Sequence, residues 1–241
     1  MLHKTNGIVL HSIPYNDRYF IINMYTEDFG RASYMVSNTH GKRSKFSRAL
    51  MLPLSILELE VEHLNNRDIQ RIREAKPACA FYQLYRDPSK NAITLFLSET
   101  LYRIIQEKEA NRPLFDYLCR SIRWLEIADA GIANFHLTFL FQLAHYLGIR
   151  PDNKSYRAGR IFDLRNGVFT DELPAHDNFL SREESVVFER LLRINYENMS
   201  LYTFSRQERA DIIRHILSYY RLHLTDFPII KSFAVMQSLF D

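Results

Sequence analysis

Cysteine is scarce in this chain of 241 residues: there are two, Cys79 and Cys119, far apart and in no CxxC pair. That excludes a disulfide framework and a cysteine-built zinc site, and it suits a reducing cytoplasm. Glycine (7) and proline (8) are also few, which removes collagen-like and low-complexity architectures. No internal repeat is visible. The N-terminus, MLHKTNGIVLHSIPYND, lacks an apolar run long enough for a signal peptide. Charge is missing from Ala130 to Ile149, a length that invites comparison with a membrane span. Within that stretch, however, Asn134, Thr138, Gln142 and His145 draw a polar stripe down one helix face, so a buried core helix and no membrane contact are expected. Nucleotide-binding glycine loops, GxSxG and HExxH are absent as well. The histidines are scattered; His215 and His223 stand two helical turns apart. No catalytic residue and no enzyme activity are expected.

The most informative absence is acidic. No Asp or Glu occurs between Phe29 and Leu57, and inside that window Lys42, Arg43, Lys45 and Arg48 crowd into NTHGKRSKFSR, Asn38 to Arg48. Four cations at this density repel one another unless a polyanion neutralises them. Residues 1–77 carry 11 Lys+Arg against 8 Asp+Glu, which accounts for the whole chain's net charge of +3. Two readings follow: a phosphate-binding loop, or a solvated loop kept soluble by its charge.

The periodicity changes once along the chain. Up to about Lys76 it is two: Ile8–Leu10, Tyr19–Thr26 and Ala32–Val36 read as strands, and Leu57, Leu59 and Val61 alternate with Glu58, Glu60 and Glu62. Ile69–Arg73 offers a fifth strand, although Ile69 and Ile72 fit the alternation poorly. Five short strands in so few residues predict a small closed barrel, with the OB-fold the smallest common candidate. After Pro77 the period is 3.6. Asp87-Pro88-Ser89 and Arg112-Pro113 open helices, and Leu147-Gly148 ends the uncharged one. Ser181 with Glu184 and Ser205 with Glu208 announce two more through capping boxes. Between them Ile161–Leu164, Asn166-Gly167 and Val168-Phe169 predict a hairpin with a type I′ turn. The expected fold is α+β and multi-domain: an OB-fold barrel over 1–77, then an all-α domain over 78–241 with a hairpin insertion at about 150–180.

Three groups of side chains bear on function. Glu58, Glu60 and Glu62 share a strand face, which suits either a divalent metal for phosphodiester cleavage or the ordinary wet face of a half-buried strand. Among Tyr19, Phe20, Tyr25, Tyr34 and Phe46, alternation leaves one or two free to stack on bases; Phe46, flanked by Lys45 and Ser47, is the best placed. Arg31 and Arg18 are outer phosphate candidates on neighbouring strands. In the tail, Lys231 beside Ile229-Ile230 and Phe233 suits a cation-rimmed groove for an acidic-aromatic peptide, or a tail that packs back to close the helical bundle.

In order along nearly the whole chain, GIVL at Gly7–Leu10, YND at Tyr15–Asp17, MYTEDFG at Met24–Gly30, HGKRSK at His40–Lys45, MLPLSILELEV at Met51–Val61, LGIRP at Leu147–Pro151 and IKSFAVMQSLF at Ile230–Phe240 resemble the RecO family of bacterial recombination mediators. The resemblance implies an N-terminal OB-fold and a C-terminal helical domain. It also implies binding of single- and double-stranded DNA, annealing of complementary strands, and contact with the acidic C-terminal tail of single-stranded DNA-binding protein. With RecR, such proteins help RecA replace that protein on single strands in the cytoplasm, at the nucleoid. Many relatives carry a four-cysteine zinc motif after the LGxxP segment. Here Asp152 to Leu180 holds no cysteine, so no zinc or other cofactor is expected and the hairpin should pack in its place. A protein-interaction adaptor working through the helical half is the alternative function.

Overall fold

A computed structural model describes residues 2–37, 48–64 and 66–239, with side chains as far as Gln237. Five strands, β1 (Leu2–Asn16), β2 (Tyr19–Thr26), β3 (Gly30–Ser37), β4 (Ile56–Glu62) and β5 (Ile69–Pro77), close into a barrel in the order β1-β2-β3-β5-β4. Closure depends on the length of β1. Its first half pairs with β4, Leu2 opposite Glu62 through Ile8 opposite Ile56, and its second half with β2. A bulge at Leu10 bends the strand between the two partners. The barrel is sealed by β3 running parallel to β5, Ser33 opposite Ile69 through Met35 opposite Arg71.

The alternation read from β4 is what fills the interior: Leu57, Leu59 and Val61 are buried with Val9, Ile22, Met24 and Tyr34. Strand β5 is real and longer than its pattern suggested. Between Glu60 opposite Glu74 and Val61 opposite Ile72 the register slips by one residue, at Arg73. Such a slip reverses which parity faces inward. Gln70 and Ala75 therefore both end up buried, an odd spacing no simple alternation accommodates. The Gln70 side chain is satisfied by closing the β4–β5 loop on itself, accepting from Leu64 N at 2.9 Å and donating to Leu64 O and Arg67 O.

Three helices, α1 (Gln83–Arg86), α2 (Pro88–Ile104) and α3 (Arg112–Ile127), follow the barrel, and the last, α7 (Ser232–Leu239), returns from the end of the chain. Compactness groups residues up to Ile127 with Ile230–Leu239 as one unit and Ala128–Ile229 as another. Pro77 thus ends the last barrel strand but not the first compact unit. The reason is visible in β1, where Ile8 and Leu10 are buried although they do not face the barrel core. Ser98 Oγ of α2 donates to the Leu10 carbonyl at 2.6 Å. The tail packs back on α2, with the Phe233 and Phe96 ring centres 6.1 Å apart.

Two carboxylates fasten this helical layer. Glu126 of α3 accepts the amides of Tyr82, Gln83 and Leu84 at 2.8, 3.0 and 2.9 Å, which satisfies the start of α1. Glu99 of α2 accepts Lys231 N and Ser232 N at 3.1 and 2.7 Å at the start of α7. Partial burial pushes the Glu126 carboxyl upward, yet the three amides and Lys90 outweigh it and hold it below the usual glutamate range. A carboxyl depressed in the folded state stabilises fully above its unfolded value and loses that contribution as pH falls through the lower, folded one. Glu126→Gln is expected to cost about 1–2 kcal/mol at neutral pH in urea unfolding, with the gap to wild type closing in acid below the ordinary glutamate range.

The second unit contains α4 (Phe135–Tyr146), a hairpin of β6 (Ile161–Asp163) and β7 (Val168–Thr170), α5 (Arg182–Leu191) and α6 (Arg206–His223). No helix among the described residues is long and apolar enough to cross a membrane. The polar stripe of α4 has a packing purpose at its start: Asn134 Nδ2 donates to Met199 O and Tyr202 O, and Thr138 is fully buried. Both capping boxes form, at Ser181/Glu184 and Ser205/Glu208. The hairpin differs from expectation, because its turn has four residues, Leu164 to Gly167, instead of a two-residue type I′. The buried Asp163 sets it, its carboxylate accepting Arg165 N, Asn166 N and Asn166 Nδ2 while Gly167 takes φ +70°. Phe162 then stacks among Phe169, Phe188 and Tyr219.

Candidate nucleic-acid interface

One end of the barrel gathers the features a nucleic acid strand needs. The turn from β1 to β2 is fixed by Asn16, whose Oδ1 accepts Arg18 N at 2.9 Å and Tyr19 N at 3.0 Å. Tyr19 lies opposite Ser37, the last described residue of β3. Arg48 opens the short 3-10 turn Arg48–Met51, and its guanidinium lies 5.7 Å over the Phe20 ring centre, also at the start of β2. Arg18, Ser37 and Arg48 therefore converge at one place. Lys42, Arg43, Lys45 and Phe46 lie outside the described residues.

Exposure sorts the aromatic candidates. Tyr25 and Tyr34 are fully buried, and burial pushes the Tyr25 hydroxyl up to about 12. They are core. Tyr19 is 40% exposed, and Phe20 is half-buried beneath Arg48. Strand alternation does not single out Tyr15. That residue sits on a second bulge of β1, between Pro14 opposite Phe20 and Asn16 opposite Tyr19, and is 58% exposed. A bulge re-aims the side chain it carries, and alternation alone cannot show that. Beyond the tyrosines, Ile13, Ile21, Met35 and Arg71 stand opposite one another across β1, β2, β3 and β5, so they share one sheet face.

Arg31 is placed differently. It is half-buried, and its Nη1 donates to Tyr102 O and Ile105 O, both at 2.7 Å, with the guanidinium 4.5 Å over the Tyr102 ring. Its charge is directed at the C-terminal end of α2, where free carbonyls welcome a cation. Burial holds its pKa below the ordinary arginine value.

The three glutamates of β4 lie on a wet face. Glu58 pairs with Lys76 at 2.8 Å and Glu62 with Arg73, while Glu60 faces Glu74. The cleft of about 570 Å³ here is lined by Lys4, Asn6, Glu27 and Lys76 as well as Glu58, Glu60 and Glu74. No group of three or more His, Cys, Asp or Glu suited to a metal ion occurs among the described residues. Elsewhere on the first unit, β1, α2 and α7 bound an apolar groove of about 480 Å³. Leu10, Met51, Leu95 and Val235 line it, and Arg103 and Lys231 supply positive charge. Phe233 packs toward Phe96, and Lys231 is the exposed member of the expected pair.

Residues 1–81 match the family model "Recombination protein O N terminal", and residues 85–232 match "Recombination protein O C terminal". Over the full length of both chains, the sequence is 46% identical to the DNA repair protein RecO of Bacteroides fragilis across 242 residues. It is 42% identical to that of Azobacteroides pseudotrichonymphae across 241. The DNA repair protein RecO of Flavobacterium psychrophilum is 33% identical over 239 residues, 98% of each chain.

Proposed function

The chain belongs to the RecO family of DNA repair proteins, and from that premise we propose that it is a non-enzymatic recombination mediator holding DNA at one end of its barrel. The observation that carries this reading is the convergence of Arg18, Ser37 and Arg48, the described residues on either side of the basic run, beside exposed Tyr15 and Tyr19. Lys42, Arg43, Lys45 and Arg48 contact phosphates, with Arg18 at the margin. Tyr15 and Tyr19, and Phe46 from the segment itself, offer ring faces to unpaired bases, worth ~1–3 kcal/mol for each base stacked. Phosphate contact and stacking do not read base edges, so sequence preference is weak. Neutralising the charge of two strands at once also lowers the repulsion that opposes annealing.

In this reading the protein works at the nucleoid. With RecR it helps RecA displace single-stranded DNA-binding protein, whose acidic C-terminal tail is a suitable occupant for the groove rimmed by Arg103 and Lys231. No metal takes part; the hairpin packs through Phe162 where many relatives have a zinc motif. An adaptor that recruits protein partners through the same apolar groove is the second reading, favoured by the exposure of Leu95 and Val235.

The test is a titration of labelled single- and double-stranded DNA across a salt series. With four or five phosphates contacted, log K should fall against log salt with a slope of roughly −3 to −4 for single strands. A flat slope with feeble affinity even at low salt would leave the adaptor.

A further inference from the structure

The two cysteines, 40 positions apart in sequence, both neighbour Arg123 of α3, Cys79 through its side chain and Cys119 from one helical turn below. Arg123 Nε donates to the Cys79 sulfur at 3.3 Å. Cys119 lies four residues before Arg123, hence on the same helix face and one turn below it. An arginine on a helix leans toward the N-terminus, which carries its guanidinium back over the turn holding Cys119. The chain after Cys79 keeps this alignment, since Tyr82, Gln83 and Leu84 donate to Glu126, three residues beyond Arg123 on the same stripe. The stretch from Cys79 to Leu84 thus runs alongside Cys119, Arg123 and Glu126 in the same direction, with Cys79 beside the Cys119–Arg123 turn. Cys79 is half-buried and open to small solutes, whereas Cys119 is buried.

We propose that Cys79 and Cys119 form an oxidation site at which hydrogen peroxide converts the two thiols into an internal disulfide. Cys79 reacts first: its sulfur attacks the peroxide, the O–O bond breaks, an S–O bond forms, and one water leaves. The Cys119 sulfur then attacks the Cys79 sulfenic sulfur, breaking S–O and forming S–S, and a second water leaves. Two thiols give up two electrons and two protons, and the peroxide becomes two waters. The order follows from access. Burial pushes the Cys119 thiol up to about 12, with Cys79 adding to the effect and Arg123 opposing it, so Cys119 is a slow resolving group and a poor first target. The bond pins the connector between β5 and α1 to α3. In a reducing cell both remain thiols, so the crosslink reports oxidative conditions.

Full-length protein is treated with hydrogen peroxide and followed by intact mass and by free-thiol titration. Wild type should lose both thiols and become about 2 Da lighter as a monomer on a non-reducing gel, with a Tm raised by several degrees and reversed by dithiothreitol. Cys119→Ser should stop at a sulfenic acid on Cys79, trapped by dimedone. Cys79→Ser should consume peroxide at least about tenfold more slowly, because only the buried thiol remains. Oxidation of wild type to a disulfide-linked dimer, or to sulfinic acid with no lighter monomer, would overturn the proposal. So would equal reaction rates in Cys79→Ser and wild type.

Discussion

Gly30→Ala should cost about 3–5 kcal/mol, a large share of the ~5–15 kcal/mol that holds a typical domain together. Gly30 opens β3 with φ +58°, a conformation that costs an L-residue about 1–2 kcal/mol by itself. Space is the larger problem. A Cβ built there would lie 2.3 Å from the Glu109 carbonyl oxygen and 2.8 Å from that of Glu107. Both are backbone atoms, which cannot rotate aside. The 105–109 segment must shift, and it is the segment to which β3 is tied by Arg31 N donating to Glu107 O at 2.9 Å. The Arg31 guanidinium bonds to Tyr102 O and Ile105 O depend on the same approach. Overpacking of this kind typically adds ~1–3 kcal/mol, and each weakened hydrogen bond about 1. Gly148→Ala is the control: φ is +72° but nothing lies within 4 Å, so only the conformational cost of about 1–2 kcal/mol applies. Urea unfolding of the two variants should separate them clearly. Equal losses would mean that the β2–β3 turn is not held against the helical layer.

The same neighbourhood shows how far the sequence can be read. Alternation in Leu57–Glu62 located β4 and its inward face correctly because both sides of that strand meet uniform surroundings, core on one and solvent on the other. The capping boxes at Ser181 and Ser205 were legible for a similar reason, since every partner lies within four residues. Legibility fails where a bulge intervenes. At Arg73 the slip disguised β5, and at Tyr15 it turned out a ring that alternation does not single out. It fails again where a side chain is satisfied by distant backbone. Nothing near Arg31 in the chain indicates that its guanidinium meets carbonyls more than 70 residues away. Glu126 and Glu99 belong to the same class, reading as surface carboxylates and acting as caps for helices elsewhere in the chain.

Replacing Lys42, Arg43 and Lys45 together by alanine should reduce the salt slope of DNA binding by roughly two to three units, one contact for each charge removed, at ~0.7–0.9 per phosphate. The affinity loss should be nearly the same for every DNA sequence, since phosphates present the same target everywhere. Thermal stability should change by no more than ~0.5 kcal/mol, because removing mutually repelling cations takes away no favourable contact with one another. Arg31→Ala supplies the opposite signature. Two hydrogen bonds to helix-end carbonyls and a ring contact disappear, so stability should fall by about 1.5–3 kcal/mol while the salt slope stays put. The pair of variants separates charge that serves the ligand from charge that serves the fold, which total charge cannot do. If the triple variant kept the wild-type slope, the segment between Ser37 and Arg48 would not be the DNA contact. Arg18 and the face bearing Arg71 would then have to supply the cations.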